Sequence, residues 1–124
     1  MSHNARLETI RQFLRTHPGI SKPAIPDTPK VERYLLPNGM PIVLDPVGKK
    51  YNNIWVKADS LDTKALHDIE CELRPNASEG ASRPNQPLYT DPLLKKVDLV
   101  CFKVTSLKDA KRVVEAVINH GGRP

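Results

Sequence analysis

The dipeptide Asn38-Gly39 is the strongest turn signal in this chain of 124 residues. It lies between two apolar runs, YLL before the turn and MPIVL after it. A two-residue hairpin turn requires a positive φ at both central positions, which Asn and Gly tolerate better than other residues do. The pattern therefore predicts two antiparallel strands, roughly residues 31–36 and 41–45. Pro37 and Pro41 beside the turn cannot donate to a strand ladder, so we expect the hairpin at an edge of the sheet.

Three further strands are predicted from alternation or from apolar runs. Residues 53–58 place Ile54 and Val56 on one face, with Trp55 and Lys57 on the other. Residues 68–74 alternate strictly, with apolar side chains at positions 69, 71 and 73 and charged ones between them. Residues 97–104 are almost continuously apolar, which is typical of a central strand covered on both faces.

Helices are predicted at the two ends of the chain. Residues 4–16 have an apolar stripe at helical spacing, and Pro18 follows the end of that stripe. A second helix opens after Ser106, with Asp109 completing a near-capping box, and it ends at His120-Gly121. A shorter helical segment is expected at 60–67, with Ser60 as its cap and Leu61, Ala65 and Leu66 facing inward.

The expected architecture is a single α+β domain over residues 1–124. An N-terminal helix and a Pro-rich connector occupy residues 1–30, a mostly antiparallel sheet of about four or five strands occupies 31–104, and the C-terminal helix occupies 105–121. Both helices are expected on the same face of the sheet. The stretch 75–94 is a long Pro-rich loop, and loops of this length are often binding loops.

The chain is basic, with a net charge of +5 and a pI near 9.4. Within residues 1–60, nine Lys and Arg face five Asp and Glu, so the positive excess is N-terminal. An excess of this sign favours nucleic acid as a partner, with an anionic membrane surface second. No apolar run approaches the roughly 20 residues of a membrane span, and the N-terminus lacks a signal-peptide core. With only two Cys, both in predicted strands, a reducing cytoplasmic setting is expected.

Two segments combine cations, amides and aromatic rings. Cations neutralise phosphates, aromatic rings stack on bases, and amides reach base edges, so both segments predict contacts with nucleic acid. The alternative is that the lysines are solvated loop charges and the Trp is a packing residue. The candidate binding residues are Lys49, Lys50, Tyr51, Asn53, Trp55 and Lys57 in the first segment, and Arg83 and Tyr89 in the second. Arg6, Arg11 and Arg15 form a possible phosphate-facing stripe on the first helix, or else a solvated face.

The segment IRQFLRTHPGISKPAI at residues 10–25 resembles the opening of winged-helix DNA-binding domains. The resemblance covers about the first 25 residues and implies a DNA-binding helix bundle. Three prolines at positions 23, 26 and 29 leave no place for the second and third helices of that fold.

A second hypothesis is a metal-dependent nuclease or hydrolase. Glu70 and Glu72 share one face of a strand and, with Asp45 or Asp98, would supply oxygen ligands, while His67 is the candidate base. The run Glu72-Leu73-Arg74 resembles the E-x-K element of restriction-type nucleases, with Arg in place of Lys, and Arg is a poor proton shuttle.

A third hypothesis is a protein–protein adaptor of the immunity or antitoxin kind. The chain has no glycine-rich phosphate loop, no CxxC, no HExxH and no nucleophile elbow, so no cofactor or metal is expected and an enzyme is not favoured. The favoured prediction is a small nucleic-acid-binding accessory domain without catalysis of its own.

Overall fold

A computed structural model of the chain describes residues 3–24, 26–29, 31–48, 50–74 and 98–121. Within these residues, two α-helices flank five strands in the sequence, and two short 3-10 helices connect the third and fourth strands. The elements are α1 (His3–Thr16), β1 (Glu32–Leu35), β2 (Pro41–Leu44), β3 (Asn52–Lys57), the 3-10 helices Ala58–Ser60 and Thr63–Leu66, β4 (Cys71–Arg74), β5 (Leu99–Val104) and α2 (Leu107–Gly121).

The strands form one sheet in the order β1-β2-β3-β5-β4, and every neighbouring pair is antiparallel. The predicted α+β class is therefore confirmed. β5 inserts between β3 and β4, so the last strand in the sequence has a neighbour on each side. The hairpin lies at an edge as expected, because β1 is an edge strand of this sheet.

The hairpin turn is one residue longer than the predicted one. Leu36 pairs with Met40 through an N–H···O bond of 2.9 Å, which leaves three residues in the loop. The Gly39 N–H donates to the Leu36 carbonyl at 2.8 Å, and Gly39 has φ = +84°. Pro37 has a fixed φ that suits the second position of such a turn, so the chain takes the three-residue loop in place of a two-residue one.

Both helices pack on one face of the sheet, as predicted, and we call this the helix face. Leu7, Ile10 and Leu14 of α1 are buried there beside Val113 and Val117 of α2. The sheet contributes alternate residues of its three middle strands, and these are Ile42, Leu44, Ile54, Val56, Val100, Phe102 and Val104. At the start of α2, the Asp109 N–H donates to the Ser106 hydroxyl at 3.1 Å, which confirms the predicted N-cap.

The opposite face of the sheet, which we call the far face, carries the other alternate residues. A second buried cluster lies there, made of Val31, Val43, Trp55, Leu99 and Cys101. Trp55 pairs with Val43 on one side and with Cys101 on the other, so these three form a row across the middle of the sheet. The prediction that Trp55 and Lys57 share a face opposite Ile54 and Val56 is confirmed.

The segment from 58 to 67, where one or two helical turns were predicted, forms two 3-10 helices, and Ser60 is not their cap. The Ser60 hydroxyl donates to the Lys57 carbonyl at 2.6 Å and caps nothing. The second 3-10 helix is capped by Asp62, whose carboxylate accepts from the Lys64 N–H at 2.9 Å. Leu66 is buried as expected, but Ala65 is exposed.

The alternating strand predicted at 68–74 is shorter and less covered than expected. β4 begins at Cys71, and Cys71 and Leu73 are exposed where burial was predicted, although Ile69 is buried. The alternation is real, because Cys71 and Leu73 pair with the helix-face residues Phe102 and Val100. β4 lies at the edge of the sheet, so its apolar side receives less cover than the central strands do.

In the part of the chain that the structure describes, no helix is long and apolar enough to cross a membrane.

Candidate nucleic-acid interface

The structure places four of the predicted binding residues along one face of β3. Asn53, Trp55 and Lys57 alternate on the far face, and Tyr51 immediately precedes the strand with the same parity. Lys50 is exposed in the loop before them. Lys49, Arg83 and Tyr89 lie outside the described residues, so the expected convergence of the two basic-aromatic segments stays a prediction.

Trp55 is fully enclosed, with 1% of its surface exposed. Stacking on a base requires an accessible ring face, and this ring has none in the folded chain. The burial of Trp55 therefore fits the alternative interpretation, in which the Trp is a packing residue. Among the described residues, its indole N–H has no hydrogen-bond partner, and the same is true of the Asn53 side-chain oxygen two residues away.

Arg6 of α1 holds the β2–β3 loop in place. Its Nε donates to the Asn52 side-chain oxygen at 2.8 Å, and its Nη1 donates to the Lys50 carbonyl at 3.0 Å. Asn52 in turn donates to the Asp45 carbonyl at 3.0 Å, which ties the two ends of the loop together. The backbone segments of the loop also approach closely, since a Cβ on Gly48 would lie 2.0 Å from the Tyr51 carbonyl oxygen. Lys50 and Tyr51 are thus presented on an anchored loop.

Two of the three arginines predicted to form a stripe on α1 are hydrogen-bonded to other parts of the protein. Arg6 is engaged with the loop, and Arg11 donates to the buried carboxylate of Glu32 at 2.8 Å through its Nε. The pKa of Arg11 is raised, first by its hydrogen bonds to Glu32. Arg15 is exposed, with its guanidinium 3.7 Å from the same Glu32. Local periodicity could not reveal this, because Glu32 is on a strand 21 residues away from Arg11.

Lys103 is the residue of this site that sequence reasoning missed. It is on the far face of β5, and its ammonium lies 5.3 Å from the centroid of the Tyr51 ring. The same ammonium is 2.9 Å from a carboxylate oxygen of Glu70 and 2.9 Å from one of Glu72. These two carboxylates raise the pKa of Lys103, Glu72 more than Glu70. The signal that could have identified Lys103 in the sequence is its position as a single cation inside an otherwise apolar strand.

Tyr51 and Lys103 belong to a polar end of the far face. Asn53 pairs with Lys103, and the Asp45 N–H donates to the Asn53 carbonyl at 2.8 Å. The Lys103 N–H donates to the Glu70 carbonyl at 2.8 Å, so the row extends across four strands or their ends. We call the group Lys50, Tyr51, Asn53 and Lys103 the loop patch.

The carboxylates of the nuclease hypothesis are engaged by other side chains or by backbone. Glu70 and Glu72 both contact Lys103, and one Asp45 oxygen accepts from the Val47 N–H at 2.8 Å. Across residues 3–24, 26–29, 31–48, 50–74 and 98–121, no group of three His, Cys, Asp or Glu side chains is arranged to hold a metal ion. The proposed base His67 is exposed.

The residue after His67 also takes part in an ion pair. Asp68 accepts from both terminal nitrogens of Arg112, at 2.6 and 2.8 Å, and this pairing lowers the pKa of Asp68 to about 2. Asp68 is therefore committed to α2 and is no part of a metal site with Glu70.

Comparison of the chain with protein-family models, with curated proteins and with solved structures found no match.

Proposed function

We propose that this protein is a nucleic-acid-binding accessory domain, without catalysis of its own, that contacts its ligand through the loop patch. The observation that carries the proposal is an aromatic ring on an anchored loop, with one cation beside the ring in space and another next to it in the sequence. Tyr51 is partly exposed, Lys50 precedes it, and the Lys103 ammonium lies 5.3 Å from its ring. The ring supplies stacking on a base, and the cations supply contacts to the flanking phosphates.

The anchoring by Arg6 supports this role for physical reasons. A flexible loop loses conformational entropy when it binds, and that loss reduces affinity. Hydrogen bonds of 2.8 and 3.0 Å from Arg6 order the loop before any ligand arrives. Lys57 and Lys49 complete the proposed contacts on phosphates, Lys57 from the far end of the same strand face and Lys49 from the adjacent position in the sequence. Trp55 is left out of the contacts because it is buried.

The test is fluorescence anisotropy with labelled single- and double-stranded DNA and RNA over a salt series. Two variants address the patch, Tyr51→Ala and Lys50→Glu. Stacking on an aromatic side chain is worth about 1–3 kcal/mol per base, so Tyr51→Ala should weaken binding by about 5- to 150-fold. Lys50→Glu should weaken binding by about fivefold or more near 0.1 M salt and should reduce the slope of log affinity against log salt.

Lys64→Glu is the matched control. Lys64 is exposed like Lys50 but follows the opposite end of β3, in the second 3-10 helix. The same charge reversal there should leave affinity within about twofold. Equal losses in Lys50→Glu and Lys64→Glu would mean that net charge and not the loop patch drives binding.

The same samples run on a gel, with and without Mg²⁺, separate binding from cleavage. An intact probe is expected under both conditions. Cleavage that requires the metal would overturn the proposal in favour of the nuclease hypothesis, and absence of binding at low salt would overturn both.

A further inference from the structure

The Lys103 ammonium beside Tyr51 already forms ion pairs within the protein. The Lys103 side chain is 17% exposed, and its ammonium lies 2.9 Å from a carboxylate oxygen of Glu70 and 2.9 Å from one of Glu72. Each carboxylate presents a planar pair of anionic oxygens, which is the chemistry that a phosphodiester presents to a lysine. A nucleic-acid phosphate that approached Tyr51 would therefore meet Lys103 with its charge already neutralised.

The two carboxylates that contact Lys103 are on the solvent side of this ion pair. Glu70 is 71% exposed and Glu72 is 40% exposed, and both belong to the edge strand β4 or the residue before it. Ion pairs with exposed partners are weak and are screened by salt. Rotation of these two side chains would uncover Lys103 without a rearrangement of the sheet.

We infer that Glu70 and Glu72 act as an intramolecular phosphate mimic that covers Lys103 and competes with the nucleic-acid backbone for it. This inference rests on the proposed function, because it describes the regulation of the loop patch. It gives the two glutamates a role different from metal binding.

The double variant Glu70→Gln/Glu72→Gln removes the competing charges and keeps the side-chain volumes. One additional phosphate contact changes the slope of log affinity against log salt by about 0.7 for a single strand. Over the decade between 1 M and 0.1 M salt, that slope corresponds to a gain of about fivefold. We therefore expect the variant to bind a labelled 20-mer of oligo(dT) or oligo(U) about fivefold more tightly at 0.1 M salt than the wild type does.

A double-mutant cycle distinguishes release of Lys103 from a general change in charge. Lys103→Gln should abolish the gain that Glu70→Gln/Glu72→Gln produces, so it should cost the double variant about fivefold more affinity than it costs the wild type. Asp59→Asn/Glu115→Gln removes two exposed carboxylates from other elements and is expected to leave affinity within twofold. A gain that survives Lys103→Gln, or that the Asp59/Glu115 control reproduces, would overturn the inference.

The outcomes for this inference and for the proposed function are separable. Binding by the wild type with no gain in the double variant would overturn the cover and leave the proposed function standing. No binding by either protein at low salt would overturn both. Binding by the double variant alone would show a cover strong enough to mask the site, and would support both.

Discussion

Removing the charge of Glu32 should lower the free energy of unfolding more than removing the charge of Glu8, although both glutamates form an ion pair with Arg11. The Glu32 side chain is 7% exposed and accepts from Arg11 at 2.8 Å and from the Tyr34 hydroxyl at 3.0 Å. Burial raises the pKa of Tyr34, with Glu32 adding to the effect, so the phenol stays protonated as a donor. Glu8 contacts Arg11 as well, but the Glu8 side chain is 65% exposed.

The perturbation is Glu32→Gln, which keeps the shape and removes the charge. An amide has one acceptor oxygen, so it keeps one of the two contacts, and the other donor is left unsatisfied. Hydrogen bonds to charged groups contribute about 1.5–3 kcal/mol each, and the partial exposure of Arg11 lets water recover part of the loss. We expect the free energy of unfolding to fall by about 2–3 kcal/mol.

Urea unfolding followed by circular dichroism measures this loss. With a slope near 2 kcal/mol/M, the midpoint should move down by about 1–1.5 M. Glu8→Gln is the matched control, because it removes the exposed partner of the same arginine, and it should cost about 0–0.5 kcal/mol. Equal losses in the two variants would refute the reasoning, because they would show that burial does not set the strength of these contacts.

Two further predictions concern contacts of α2, one made by Arg112 in its N-terminal half and one at its C-terminal end. The pKa of Asp68 is about 2 in the folded chain, below its ordinary 3.8, so pairing with Arg112 stabilises the fold above pH about 4 and the contribution disappears as the pH falls towards 2. The difference in unfolding free energy between wild type and Asp68→Asn should therefore be constant from about pH 5 to 8 and shrink below pH 4, and a difference that grows in acid would contradict this. At the C-terminal end, the Asn38 amide donates to the carbonyls of Val117 and Ile118 at 2.9 and 3.3 Å. Asn38→Ala should cost about 1 kcal/mol in urea unfolding, and Asn38→Asp, which lacks the donor, should cost at least as much.

The predicted elements were accurate where the signal was local. The apolar stripes of α1 and α2, the Ser106 cap and the opposed faces of β3 all follow from spacing within a few residues. The turn at Asn38-Gly39 was located correctly but was one residue too short in the prediction, since the preceding Pro37 favours a longer loop.

The predictions failed where the burial of a side chain depends on residues that are distant in the sequence. Cys71 and Leu73 have the alternation of a half-buried strand, yet they are exposed because β4 lies at an edge of the sheet. The lysines near Trp55 in the sequence suggested a binding residue, yet Trp55 is enclosed in the second buried cluster. No pattern along the chain distinguishes a covered strand from an uncovered one, because cover is supplied by distant residues.

The sequence by itself determined the class of fold, the periodicity of each element and the identity of the basic-aromatic loop, because helix and strand periods and turn residues act over short distances. Only the tertiary structure decided what that loop is next to. Arg6 reaches it from 46 residues away along the chain, and Lys103 meets Glu70 across 33 residues. The contact between Lys103 and Glu70 depends on β5 inserting between β3 and β4, a strand order set by the packing of the whole sheet and encoded in no single segment.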